Sequence, residues 1–192
     1  MRTAYFHEDD YCQLEVLPLT AKAYCLKEMG QIEAFVGKLQ DEGAGFSDIY
    51  LRGDSPHSME ELSLRSQQLD EALSFLPSYD RVETGYSSYR EELKSTYGRG
   101  AGPEQNVFWS VEKVGLVNAL WLDLWISPEI KELWQRTLTA LGQLAPVLLA
   151  DWGWERCVDL TSPQEIQQYV TDKVNNTLRL LEERKKYLEN SK

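Results

Sequence analysis

Residues 107–126 read VFWSVEKVGLVNALWLDLWI, and the order of apolar and polar residues in this stretch decides the fold. VFWSVE (107–112) and GLVNALWLDLWI (115–126) are both extended in pattern, and only Lys113-Val114 separates them. Two such runs, joined so closely, read as a hairpin. The second alternates with period two, which puts Asn118, Leu120, Leu122, Leu124 and Ile126 on one face and Ala119, Trp121, Asp123 and Trp125 on the other. Its length suits a central place in an antiparallel sheet. The first face is a core face. The second sets two indoles around a carboxylate, and a carboxylate is costly to bury unpaired. That face is therefore partly wet, salt-bridged (Arg156 is an available counter-ion) or covered by another chain.

Downstream, Ser127-Pro128-Glu129 combines an N-cap serine, proline at the first helical position and an acidic first turn. It opens a helix whose Ile130, Leu133, Trp134, Leu138 and Leu141 share one side. A final strand follows at 154–160, while 145–152 fits helix or strand. Ser162-Pro163-Gln164-Glu165 is the clearest helix start in the chain, and the stripe Ile166, Val170, Val174, Leu178, Leu181, Leu188 extends that helix over about 163–189. Upstream, TAYFHE (3–8) and YCQLEVL (11–17) flank Asp9-Asp10 as a second hairpin, with Cys12, Leu14 and Val16 on the buried side of the second strand. Thr20 would cap a helix carrying Tyr24, Met29, Ile32, Phe35, Val36 and Leu39, ended by DEGAG (41–45). FSDIYLR (46–52) reads as a third strand. Ser58-Met59-Glu60-Glu61 has capping-box spacing ahead of Leu62, Leu69, Leu73 and Leu76; Ser88-Tyr89-Arg90-Glu91 has the same spacing and predicts a short helix over 88–97. YGRGAGPEQN (97–106) reads as a loop by composition. Hairpins interleaved with helices, without repeated strand-helix-strand crossovers, define an α+β fold: one domain over 1–192, with helices packed on an antiparallel sheet.

The 192 residues carry a formal charge of −11, with a pI near 4.7. Residues 173–192 hold six basic and three acidic side chains, which leaves −14 on 1–172. Nucleic-acid binding draws its affinity from Lys and Arg neutralising phosphates, so this balance opposes it, and it equally disfavours an anionic membrane surface. It favours solubility or a basic protein partner. The basic end suits the negative pole of a C-terminal helix dipole and implies no binding role. Cys12, Cys25 and Cys157 form neither a disulfide framework nor a zinc signature. The acidic first ten residues lack the apolar core of a signal peptide, and no apolar run is long enough for a bilayer, so a cytoplasmic protein is expected.

Chemical motifs are sparse. Arg52-Gly53-Asp54 matches an integrin-binding tripeptide but reads as a turn after a strand. GRGAG (98–102) lacks the Lys-Ser/Thr that a phosphate loop carries into its helix. His7 lies beside Glu8, Asp9 and Asp10, yet neither His7 nor His57 has metal-ligand spacing or a nucleophile context. Adjacent carboxylate pairs point in different directions, and separated ones such as Asp123 with Glu155 are not paired by sequence. No cofactor or metal is implied.

Six tryptophans between positions 109 and 154 are the strongest signal. Trp109 and Trp134 sit in core patterns. Trp121 and Trp125 fit core and partner contact equally, and Trp152-Gly153-Trp154 sets two rings at a turn. FHEDDYCQLEVL (6–17), VFWSVEKVGLVNALWLDLWISPEI (107–130) and LLADWGWERCVDL (148–160) together resemble the immunity proteins of bacterial polymorphic-toxin and type VI or contact-dependent secretion systems. Such proteins share no general motif, so no site residue carries over. The resemblance implies a small acidic cytosolic α+β protein that blocks one cognate toxin stoichiometrically, without catalysis. The expected contacts are Trp121, Asp123, Trp125, Trp152 and Trp154, with Asp9 and Asp10 as rim charges. Two other classes remain open: a carboxylate-dependent enzyme, with or without a metal, and an adaptor or homodimeric component of a secretion machine.

Overall fold

The hairpin at 107–126 forms the middle of a six-stranded antiparallel sheet. The computed structural model describes residues 1–7, 11, 13–41, 50–53, 55–86, 88–102, 105–112 and 115–190. Its strands are β1 (Thr3–His7), β2 (Leu14–Pro18), β3 (Arg81–Gly85), β4 (Glu91–Glu92), β5 (Thr96–Gly100), β6 (Gln105–Val111), β7 (Val117–Leu124), β8 (Val147–Asp151) and β9 (Arg156–Asp159). Its helices are α1 (Lys22–Asp41), α2 (Ser66–Ala72), α3 (Lys131–Leu144) and α4 (Pro163–Asn190). The large sheet runs β5-β6-β7-β2-β8-β9 and a small one runs β1-β3-β4. The α+β class and the long terminal helix follow the sequence reading, and no described helix is long and apolar enough to cross a membrane.

Alternation sorts the core into layers. Val107, Trp109, Leu120, Leu122, Leu14, Val16, Leu149 and Val158 face Leu69 of α2, Trp134 and Leu138 of α3, and Tyr169 and Val170 of α4. Trp109 donates its indole N–H to Ser66 Oγ at 2.8 Å. On the opposite face Leu17, Leu148, Ala150 and Trp152 meet Ala21, Cys25 and Met29, while Phe108 and Trp121 meet Ala4, Phe6 and Val82 of the small sheet. The large sheet is thus sandwiched between three helices on one side and, on the other, α1 beside a second sheet. β8, covered on both faces, is buried at every position, so 145–152 shows no alternation that would separate strand from helix.

Several expectations are corrected. The runs at 3–8 and 11–17 do not pair with each other. β1 pairs in parallel with β3, Phe6 opposite Thr84, whereas β2 inserts between β7 and β8. Residues 14–18 are apolar on both faces and need an interior place; β1 buries only Ala4 and Phe6 and occupies an edge. Thr20 does not cap a helix but lies within a 3-10 turn, Leu19–Ala21, that leads into α1. Residues 50–52 are not strand, and 46–49 lie outside the described residues. The capping box at Ser58 forms, but over a 3-10 turn, Met59–Leu62, that stops before α2.

The helix expected over 88–97 is absent: β4 and β5 occupy it. Arg81 bridges Glu83 and Glu92 across the β3–β4 pair, so the charges there serve a ladder. The expected loop at 97–106 is largely β5 paired to β6. Its glycines admit close neighbours: a methyl on Gly98 would stand 2.8 Å from the Phe108 ring, and one on Gly100 would overlap the Asn106 side chain. Ser162 Oγ accepts the Glu165 N–H at 3.3 Å, as the sequence signal required, whereas Ser127 precedes a 3-10 turn, Pro128–Ile130, without a side-chain cap bond, and α3 starts after it at Lys131.

Candidate functional site

The second face of β7 is covered by the chain itself. Parallel pairing with β3 delivers Phe6 edge-on to Trp121 at 5.5 Å, Phe108 stacks on the same indole at 5.7 Å, and Tyr11 meets it edge-on at 4.9 Å. Trp121 is 2% exposed. This burial leaves almost none of the indole on the surface of the chain. The cover is incomplete, because an aromatic cleft of about 340 Å³ opens where Tyr11, Thr84, Leu93, Thr96 and Ser110 meet Trp121.

Two positions along β7, Asp123 stands opposite Asn106 in the β6–β7 register. Asn106 Nδ2 donates to its carboxylate at 3.1 Å, and Tyr79 Oη donates to Asn106 Oδ1 at 2.7 Å. Burial raises the Tyr79 phenol above its ordinary pKa, which keeps it a donor. Arg2 lies over the Tyr79 ring at 4.6 Å and donates to Ser78 and Gly100 carbonyls. A second cleft, about 450 Å³, runs along Arg2, Tyr5, Tyr79 and Asn106. Trp125 follows the end of β7 with 48% of its surface in solvent, and of the six indoles it alone is classed as exposed.

Trp152 and Trp154 belong elsewhere. Both lie in the β8–β9 turn, separated from β7 by β2 and β8. Trp152 is buried against α1, with Arg52 over its ring at 4.1 Å and Glu15 accepting both its indole N–H and the Arg52 guanidinium. Trp154 is half-buried beneath Lys173, whose Nζ sits 3.9 Å from its ring centre. The same ammonium pairs at 2.6 Å with the buried Asp151 carboxylate, which also accepts from Tyr169 Oη at 2.8 Å and Trp154 N at 3.1 Å. Burial, then the nearby Asp151 charge, pushes the Tyr169 phenol well above its ordinary range. Arg156 is not the counter-ion of Asp123; it pairs with Asp172 at 2.5 Å. Asp9 and Asp10 lie outside the described residues.

The other motifs serve structure. Arg99 of the GRGAG stretch holds Asp70 with two hydrogen bonds, 2.7 and 2.9 Å, and the Leu76 carbonyl with a third. Arg52 belongs to the Trp152 cluster, and Asp54 lies outside the described residues. His57 Nδ1 faces both Thr20 Oγ1 (3.3 Å) and Glu61 Oε2 (3.5 Å), while Ser55 Oγ bonds the His57 main chain rather than its ring. Among the described residues no three His, Cys, Asp or Glu side chains converge as a metal site. Cys25 and Cys157 adjoin between α1 and β9. The bond that Cys25 donates raises its own thiol pKa and lowers that of Cys157.

The structure therefore gathers Trp121, Asp123 and Trp125 on one strand, with only Trp125 well exposed, and keeps Trp152 and Trp154 apart from them. Sequence reading missed both clefts. Their walls come from β1, β3, β5, β6 and β7, and apart from the β6–β7 hairpin no local pattern announces how these strands pair. No protein-family model, curated protein or solved structure matches this chain.

Proposed function

We propose that the protein is a non-catalytic binding protein that neutralises a cognate bacterial toxin by covering its working surface, an immunity protein acting in the cytoplasm. The observation that carries this reading is Trp125, a half-exposed indole beside the hydrogen-bonded Asp123 at the end of the central strand. An exposed Trp on a rigid element suits a binding anchor, and a formal charge of −11 suits steering toward a basic partner. The carboxylates of the described residues also favour binding over chemistry, since those nearest the tryptophans are tied into structural pairs. The test is co-expression with a toxin domain that a neighbouring gene encodes, which the reading requires. Cells survive and a stoichiometric complex co-purifies if the reading holds; a purified chain that turns over a substrate, or a toxin that kills regardless, contradicts it.

Self-association is the second reading, favoured by a specific feature. Leu178, Leu181 and Leu188 of α4 are all exposed on the stripe that reads as buried in sequence. A homodimer would elute at twice the monomer mass without any partner.

A further inference from the structure

We propose that the aromatic cleft between the two sheets is a binding site for a small, uncharged, planar molecule carrying a hydrogen-bond acceptor. This site is independent of the Trp125 reading. Two observations converge on it. First, its walls are rings and aliphatic groups, Phe6, Tyr11, Leu93 and Trp121, around about 340 Å³, which is the lower end of the range for small-ligand sites. Secondly, two polar atoms of lining residues are buried without a hydrogen-bond partner: Trp121 Nε1 and Thr84 Oγ1. Nearly all buried polar groups in folded proteins are partnered, so two in one cleft wall are a pointed exception.

The chemistry of those atoms selects the ligand. An indole N–H only donates, so it requires an acceptor; the Thr84 hydroxyl takes either role. Of the other lining hydroxyls, that of Ser110 is engaged, since its Oγ donates to Asn118 Oδ1 at 2.8 Å. Among the described residues no charged one lines the cleft, so a carboxylate entering here loses hydration without a counter-ion from them. An aromatic ketone or amide meets these requirements, and an aromatic acid does not. Neither orphan atom touches solvent. Tyr11, 46% exposed, packs edge-on to Trp121 and near-parallel to Phe6 at 6.2 Å. A planar ligand reaches those atoms by displacing that ring from its contacts with Trp121 and Phe6.

The experiment titrates the full-length ¹⁵N-labelled chain with acetophenone and, separately, with benzoate, and follows the indole N–H signals. Trp121→Phe identifies the Trp121 signal. With acetophenone that signal moves downfield and saturates, while the Trp109 signal, already bonded to Ser66, stays in place. Benzoate binds at least about tenfold more weakly because its charge is not compensated. Thr84→Val, which removes one polar atom and preserves shape, weakens acetophenone about threefold. Should Trp121→Phe fail to fold, Thr84→Val and the benzoate comparison still decide. Absence of a saturable shift at Trp121, benzoate binding as tightly as acetophenone, or an unchanged affinity in Thr84→Val overturns the proposal.

Discussion

Replacing Lys173 with methionine tests how the β8–β9 turn is held. The Asp151 side chain is 3% exposed and that of Lys173 is 20% exposed, with 2.6 Å between the charges. Removing the ammonium strands a sealed carboxylate, and breaking a buried pair in this way costs about 3–5 kcal/mol. Two neutral donors remain, Tyr169 Oη and the Trp154 amide, which puts the expected loss at the low end, about 3 kcal/mol. Asp151→Asn is the milder change. Lys173 keeps a path to water and its place over the Trp154 ring, so the loss is about 1.5 kcal/mol. The double variant recovers part of the damage, because neither charge is then orphaned, and the cycle gives a coupling of about 2 kcal/mol.

Urea unfolding at pH 7, followed by tryptophan emission, reads all four proteins. With a slope of about 2 kcal/mol per molar, Lys173→Met lowers the midpoint by about 1.5 M. Added salt leaves the coupling nearly unchanged, since a buried pair is poorly screened. A loss below about 1 kcal/mol for Lys173→Met, or a larger loss for Asp151→Asn, refutes the reasoning, because either result means that water reaches the carboxylate.

Other consequences are simpler to state. The Tyr169 phenol is held neutral by burial and by Asp151. Above about pH 10 the unfolded chain therefore releases a proton that the native state keeps, and this phenol lowers stability with rising pH by about 1.4 kcal/mol per unit; Tyr169→Phe reduces the slope of alkaline denaturation by that share, and an unchanged slope contradicts it. In a Cys12→Ser background, iodoacetamide at pH 8 modifies Cys157, whose thiol pKa is lowered and which is half-buried, before the buried Cys25, whose thiol pKa is raised. Peptide mass mapping at early times checks the order, and equal rates contradict it. Every described side chain from Leu178 to Glu189 is exposed, so deleting 179–192 changes unfolding stability by less than about 1 kcal/mol. A larger loss means that the end of α4 packs on something.

The extent to which the fold was readable depended on how local each signal was. The β6–β7 hairpin and the start at Ser162 are written within a few residues and stand where the spacing put them, while the signals at Ser58 and Ser127 each open a 3-10 turn ahead of the helix. The destination of β1 is not local. Its partner lies at 81–85, and only a parallel pairing across nearly eighty residues brings Phe6 onto Trp121. For the same reason parity assigned Trp121 and Trp125 to one face but could not tell which one a second sheet would cover. Glycine misled at 98–100, where it admits neighbouring side chains within a strand rather than loosening a loop. Arg156 was offered to Asp123 as an available counter-ion by residue type alone, whereas α4 delivers Asp172 to it directly.

The central claim is that Trp125 anchors a protein partner at the open end of the β7 face. Calorimetric titration of the proposed toxin partner with the native chain and with Trp125→Ala tests it most directly. We predict that the variant folds as before and loses at least about thirtyfold in affinity, or 2 kcal/mol. Equal affinity in the two titrations, or no binding in either, contradicts the claim.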